Sequence, residues 1–215
     1  MVPARSKPRS RDRALYVETT IRAPIERIWE LTQDTDQHVR WDARFSRIQP
    51  TRVDDDGTQE FDYELDLGIR TIRGTGVSRG ERRGAGGERT SALIFTPADV
   101  LSPLGAGRGY WRYIPVQGGV RFLTGYDYAP GWGALGRVLD PIITRRVVWW
   151  LTAWSFDRLR LWAEDGIEPE RLPLWRALLP GRGPRPRARR CLDRPAARSG
   201  TIMDDAPASL REIER

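Results

Sequence analysis

Residues 140–166, DPIITRRVVWWLTAWSFDRLRLWAEDG, form the longest helical pattern in the chain. Asp140 reads as an N-cap, Pro141 as a first helical residue whose missing N–H costs little, and Gly166 as a stop. Ile143, Val147, Trp150, Leu151, Trp154, Arg158 and Leu161 give one stripe, with Arg145, Arg146, Asp157 and Arg160 off it. At about 1.5 Å per residue such a helix is about 40 Å long. It can cross a whole sheet, and it must bury its stripe on something.

What precedes it reads as strand. In ALYVETTIRAP, Leu15, Val17, Thr19 and Ile21 alternate with polar neighbours, and Pro24 then opens a helix striped by Ile25, Ile28, Trp29 and Thr32. DTDQHVRW reads as a turn or one short helical turn. From Phe45 to Tyr128 five or six strands alternate with turns. EFDYELDLG sets Phe61, Tyr63, Leu65 and Leu67 against Asp62, Glu64 and Asp66, and VRFLTGYDY puts Val120, Phe122, Thr124, Tyr126 and Tyr128 on one face. Arg112 and Arg121 fall on the other face, towards water. Successive hairpins predict an antiparallel sheet with one wet face. IEPERLPLWRALL, 167–179, predicts a short helical extension.

The net charge of +7 is unevenly placed. Residues 1–13 carry net +4, residues 180–200 net +6 and residues 201–215 net −2, leaving the body at net −1. Nucleic-acid binders place their basic footprint on the folded body, so nucleic acid is not the expected partner. The basic tails, 1–13 and the Arg- and Pro-rich 180–215, are expected to lack fixed structure. An interaction role for the basic tail is the weakest functional reading.

Several chemistries lack their residues. One Cys, Cys191, allows no internal disulfide and no cysteine zinc site, and suits a reducing cytoplasm. One His, His38, leaves little room for a Ser-His-Asp triad, and there is no G-x-S-x-G; Ser155 reads as a helix-surface residue. VDDDGTQE lacks the ligand spacing of a calcium loop and reads as a hairpin turn, so no metal is expected. Gly105, Gly107 and Gly109 in LGAGRGYW have no GK[ST] and read as a loop between strands. No targeting segment or membrane span is evident, and the rings of VVWWLTAW read as sheet cover rather than peripheral membrane contact.

The order of elements resembles the START-like superfamily, also called SRPBCC. The residues that carry the likeness are VETTIRAPIERIWELTQD, HVRWDARFSRI, and the last strand, Gly-rich bend and long helix from Arg121 to Gly166. It covers residues 14–166, about 70% of the chain. The resemblance implies an α+β helix-grip fold: a curved antiparallel β-sheet wrapped around a long C-terminal α-helix, enclosing a hydrophobic cavity. Family members bind lipids, quinones, polyketides or other aromatics, and only some catalyse reactions.

Nine Trp, six Tyr and five Phe exceed what packing a domain of this size requires. The expected cavity wall is Trp41, Tyr63, Trp111, Tyr113, Phe122, Tyr126, Tyr128, Trp150 and Trp154, with Trp41 folded over its mouth. This predicts a carrier or sensor of a hydrophobic small molecule, without cofactor. The alternative is a polyketide cyclase or dehydrase-like enzyme in which His38 and Asp42, one helical turn apart, act as a general-base pair. The bland reading keeps His38 at the surface or rim and has Asp42 cap a turn or pair with Arg40 or Arg44.

Overall fold

Pro24 lacks an N–H to continue a ladder, and the first strand ends just before it. The computed structural model describes residues 14–81, 86–99, 102–178, 183–195 and 200–214. Strand β1 (Leu15–Ile21) leads through Pro24 into helix α1 (Ile25–Gln33). Ile28, Trp29 and Thr32 face inward as their spacing predicts. Asp34 then caps α2 (Thr35–Trp41), its carboxylate accepting from the backbone N–H of Asp36 at 2.9 Å and Gln37 at 3.1 Å. DTDQHVRW is thus a capped helix rather than a bare turn. Six strands follow: β2 (Arg47–Val53), β3 (Thr58–Asp66), β4 (Thr71–Glu81), β5 (Arg89–Pro97), β6 (Leu104–Val116) and β7 (Gly119–Pro130).

All seven strands join one antiparallel sheet in the order β1-β7-β6-β5-β4-β3-β2. Val120, Phe122, Thr124, Tyr126 and Tyr128 are buried together, as their alternation requires. Leu67 departs from its expected face: it lies past the end of β3 and is 56% exposed.

Gly105, Gly107 and Gly109 form no loop; they lie inside β6. Their missing side chains make room for rings. A Cβ on Gly107 would stand 2.1 Å from Phe95 Cζ, and one on Gly125 2.4 Å from the Tyr110 ring. Gly74 and Gly76 lie under their cross-strand partners Tyr63 and Phe61 in the same way. Rings that lie flat over glycines bury a large area close to the sheet.

The long helix differs from its expected form at both start and face. Helix α3 (Gly133–Leu139) passes through a π-helical turn (Asp140–Thr144) into α4 (Arg145–Asp165), so Asp140 is internal and caps nothing. Its buried carboxylate instead accepts the Tyr128 hydroxyl and Arg145. Gly166 does end the helix, at φ 67, with its N–H reaching Leu161 and Trp162 carbonyls. The inward row is Val148, Thr152, Ser155, Leu159 and Trp162. Ile143, Val147 and Trp150 face outward, because the wider π turn shifts the helical phase. Asp157 and Ser155 are buried: Asp157 accepts the Arg187 N–H, and the Ser155 hydroxyl accepts the Ala43 N–H at 3.0 Å. The expected helix over 167–179 is two 3₁₀ turns, Pro169–Arg171 and Leu174–Leu178.

The described part of 180–215 packs against the domain, contrary to expectation. Cys191 is buried on α4, and Leu192 bridges to Glu18 of β1 in both directions at 2.9 and 3.1 Å. Farther on, α5 (Ala208–Ile213) lies on the outer face of β4 and β5. Ile202, Met203 and Ala206 cover an apolar cluster of Tyr16, Tyr110 and Leu123, and the Tyr110 hydroxyl donates to the Ile202 carbonyl at 2.7 Å. A few apolar side chains amid Arg and Pro suffice, because the sheet already offers them a greasy outer face. The expectation of disorder for 1–13 lies outside the described residues, as does that for 180–182, 196–199 and 215, and so does residue 179 of the expected helix.

Deleting residues 200–215 re-exposes that cluster. We expect a loss of about 2 kcal/mol or more, read as a fall in Tm of about 4–8 °C, with new binding of an apolar dye. An unchanged melt would show that this segment is not seated on the sheet.

Candidate functional site

Two helical turns and one inner sheet face build the site. Four-residue spacing on α2 puts His38 and Asp42 side by side, with His38 Nε2 and Asp42 Oδ2 3.1 Å apart. Asp42 has no exposed surface. Arg44 also grips it, through its backbone N–H at 3.0 Å, Nε at 2.9 Å and Nη2 at 2.7 Å. Each carboxylate oxygen therefore has two partners, filling its acceptor sites. Burial pushes the Asp42 carboxyl up, but the Arg44 charge and the His38 and Arg44 hydrogen bonds outweigh it and hold the group well below the usual carboxylate range.

The His38 ring is enclosed by other rings. It stacks on Trp41 at 5.0 Å and meets the edges of Trp111 at 5.1 Å and Phe45 at 5.3 Å. Beyond it lies a small, partly open cavity of about 40 Å³, whose walls include Thr32, Gln33, His38, Phe61, Ser91 and Trp111. A water molecule takes about 30 Å³ of liquid volume, so this space suits one ordered water rather than an organic guest. Its polar edge is ordered: the Thr32 and Tyr113 hydroxyls lie 2.7 Å apart, and Gln33 Nε2 donates to Tyr113 at 3.0 Å.

The expected wall residues divide into two groups. Trp41, Trp111, Tyr113, Phe122 and Trp154 belong to the main core cluster together with Phe156 and Trp162. Trp41 does not fold over a mouth: it is fully buried, and its indole N–H donates to the Leu31 carbonyl at 2.7 Å. Tyr63, Tyr126 and Tyr128 form a second inner cluster with Phe61, Phe95 and Val148. Trp150 joins neither, being 36% exposed on the outward side of the helix. Burial pushes the Tyr63 phenol up to about 12 and Tyr126 well above its ordinary value, so both stay neutral donors near pH 7.

As site residues, sequence reasoning passed over Phe45, Phe61 and Phe95. Phe61 was legible as an inward strand residue. Arg44 was legible only as one of two alternative partners of Asp42; the turn after α2 brings it back onto the carboxylate, while Arg40 pairs with Glu168 and Glu170. Among the described residues no group of three or more His, Cys, Asp or Glu gathers as a metal site would need. A second recess, an open groove of about 890 Å³, lies on the outer face, where Arg108, Asp127 and Met203 contribute to its walls.

No protein-family model matches the chain. It is 39% identical over 163 residues to Uncharacterized membrane protein YndG of Bacillus subtilis (strain 168), covering 75% of this chain and 61% of that protein. The chain thus spans less than two thirds of the length of this curated relative. No helix among the described residues is long and apolar enough to cross a membrane. Among solved structures, a STAR-related lipid transfer protein from Xanthomonas axonopodis aligns with TM-score 0.54 and 14% identity, over 73% of this chain and 88% of that one. The di-domain ARO/CYC StfQ of the steffimycin biosynthetic pathway aligns with TM-score 0.51 and 12% identity, over 72% of this chain and 52% of that one. Protein CV1439 from Chromobacterium violaceum aligns with TM-score 0.50 and 14% identity, over 70% of this chain and 96% of that one. With its single antiparallel sheet, paired helices after the first strand and long helix after the last, this chain has the helix-grip fold that it shares with these structures.

Proposed function

We propose that this domain binds a hydrophobic or aromatic small molecule between the sheet and the long helix, as a carrier or sensor without cofactor. The observation that carries the reading is the inner cluster around Tyr63, Phe95, Tyr126 and Tyr128. It is an aromatic wall with neutral phenol donors, the usual make-up of a site for an oriented apolar guest. The partly open space beside it is about 40 Å³, whereas ligand pockets are roughly 300–1,000 Å³. A guest therefore enters by displacing side chains of the wall or the start of the long helix. Two structural neighbours, a STAR-related lipid transfer protein and the di-domain ARO/CYC StfQ, support this ligand class. The membrane designation of the Bacillus relative suits a ligand drawn from lipid. A reducing cytoplasmic setting is part of the proposal, resting on the free, buried Cys191 thiol.

The test is native mass spectrometry of the purified protein after incubation with a bacterial total lipid extract. One ligand per chain is expected. Tyr126→Phe should weaken its retention about five- to tenfold, the worth of one hydrogen bond of about 1 kcal/mol. A protein that retains nothing from the extract defeats the reading.

The His38–Asp42 pair, 3.1 Å apart, favours a second reading as a cofactor-independent polyketide cyclase or dehydrase-like enzyme. There Asp42 would fix the imidazole and His38 would move the proton. His38→Ala and Tyr126→Phe that both leave turnover of a polyketone substrate untouched would remove it.

A further inference from the structure

The outward side of the long helix carries a surface that the proposed ligand site does not use. Leu135, Val138, Ile142, Ile143, Val147 and Trp150 are each between 36% and 63% exposed. Their spacing keeps them in one row, because the π turn at Asp140–Thr144 takes up an extra residue and returns the helix to phase. The opposite side, with Gly136, Asp140, Val148 and Thr152, is buried. Trp132 stands at the head of the row, 44% exposed and held at φ 55, the one described non-glycine residue with positive φ. From Trp132 to Trp150 the row is about 27 Å long. An exposed apolar strip of this length is more than scattered surface hydrophobicity and marks an interaction site.

Charge identifies the partner. Arg137 and Arg146 flank the row, exposed, and form no ion pair among the described residues. The acidic residues between positions 131 and 163 are Asp140 and Asp157, and both are buried. The face therefore shows apolar groups, two tryptophans and positive charge only. Two copies of this face meeting would bring arginines together with no carboxylate on it to pair them. A negatively charged lipid surface instead satisfies both components: acyl chains accept the apolar row, headgroups accept the guanidinium groups, and indoles favour the boundary between them.

We propose that residues 132–150 are a docking face for an anionic bilayer, on which the long helix lies in the plane of the headgroups. This holds whatever the interior binds. The test is flotation of the full chain with extruded vesicles of pure phosphatidylcholine or of phosphatidylcholine with about 30 mol% phosphatidylglycerol. The chain should float with the anionic vesicles, release as salt rises, and associate at least tenfold less with the neutral ones. Arg137→Glu with Arg146→Glu should cut anionic binding at least tenfold. Ile142→Glu with Val147→Glu should abolish it. All four residues are exposed, so both pairs should keep the wild-type melt, and either pair serves should the other melt early. Failure of the wild type to float, equal binding to both vesicle types, or wild-type binding by both variants would overturn the proposal. So would a dimer in light scattering that Ile142→Glu with Val147→Glu dissolves while no vesicle binding is seen, since the occupant would then be a second copy.

Discussion

Asp42→Ala should destabilise the fold by about 3–5 kcal/mol, measured by urea unfolding at neutral pH. The carboxylate is fully buried and is the partner of both His38 and the Arg44 guanidinium, whose side chain is 20% exposed. Removing it strands a largely buried cation and leaves a His nitrogen with no acceptor. Arg44→Met in the Asp42→Ala background should recover part of the loss, because the stranded charge goes with it. A single-variant loss under about 1 kcal/mol would mean that Arg44 finds water instead. The same group sets an acid limit. Its folded-state pKa is lowered, so its contribution is fully present above the unfolded value of about 3.9 and is lost as pH falls through the lower folded value. The stability of Asp42→Asn should therefore fall less steeply than wild type below about pH 4. Parallel curves would show that other carboxylates govern acid unfolding.

Gly107→Ala should cost about 2–3 kcal/mol, from the introduction of a single methyl group. That methyl would meet Phe95 Cζ at 2.1 Å and the Asp127 carbonyl oxygen at 2.9 Å, so the ring must leave its place over the sheet or the strands must part. Phe95→Leu should partly rescue it by shortening the obstructing group. Gly86→Ala is the control: nothing lies within 4 Å of its added carbon, and its stability should change by less than about 0.5 kcal/mol. Equal effects at both positions would show that backbone entropy, rather than the ring contact, decides the outcome.

These glycines also mark where the sequence stopped being informative. Within one element, periodicity was enough: Val120 to Tyr128 alternate into the core, Ile28 and Trp29 face inward from α1, and Gly166 ends the long helix. The architecture was legible because the order of such elements is itself a strong constraint. A glycine's meaning across a sheet depends on which residue lies opposite, and that register is not written in either strand alone. Gly105, Gly107 and Gly109 therefore read as a loop, although they are seats for neighbouring groups. The same blindness affects the interior volume. The number of aromatic side chains does not say whether rings stand away from the sheet or lie down on it. Asp140 misled for another reason: its N-cap chemistry was real but already engaged by Tyr128 and Arg145. His38 and Asp42 were placed together by a local spacing, whereas the choice between Arg40 and Arg44 as a partner of Asp42 depends on the turn after α2.

The pairing of Leu192 with Glu18 has a consequence for solubility. β1 is a border strand of the sheet, and a border strand offers unpaired amides to any other chain in extended form. Here Leu192 occupies part of that row, and the Trp149 indole takes the Tyr16 carbonyl at 3.0 Å. At the opposite border, β2 carries Pro50, which has no amide to offer, and a register break before Arg52. Both margins are thus partly obstructed to strand addition, one by the chain's own later residues and the other by an imino acid. Cleavage between Gly166 and Cys191 would uncover one of them and favour fibrillar self-assembly.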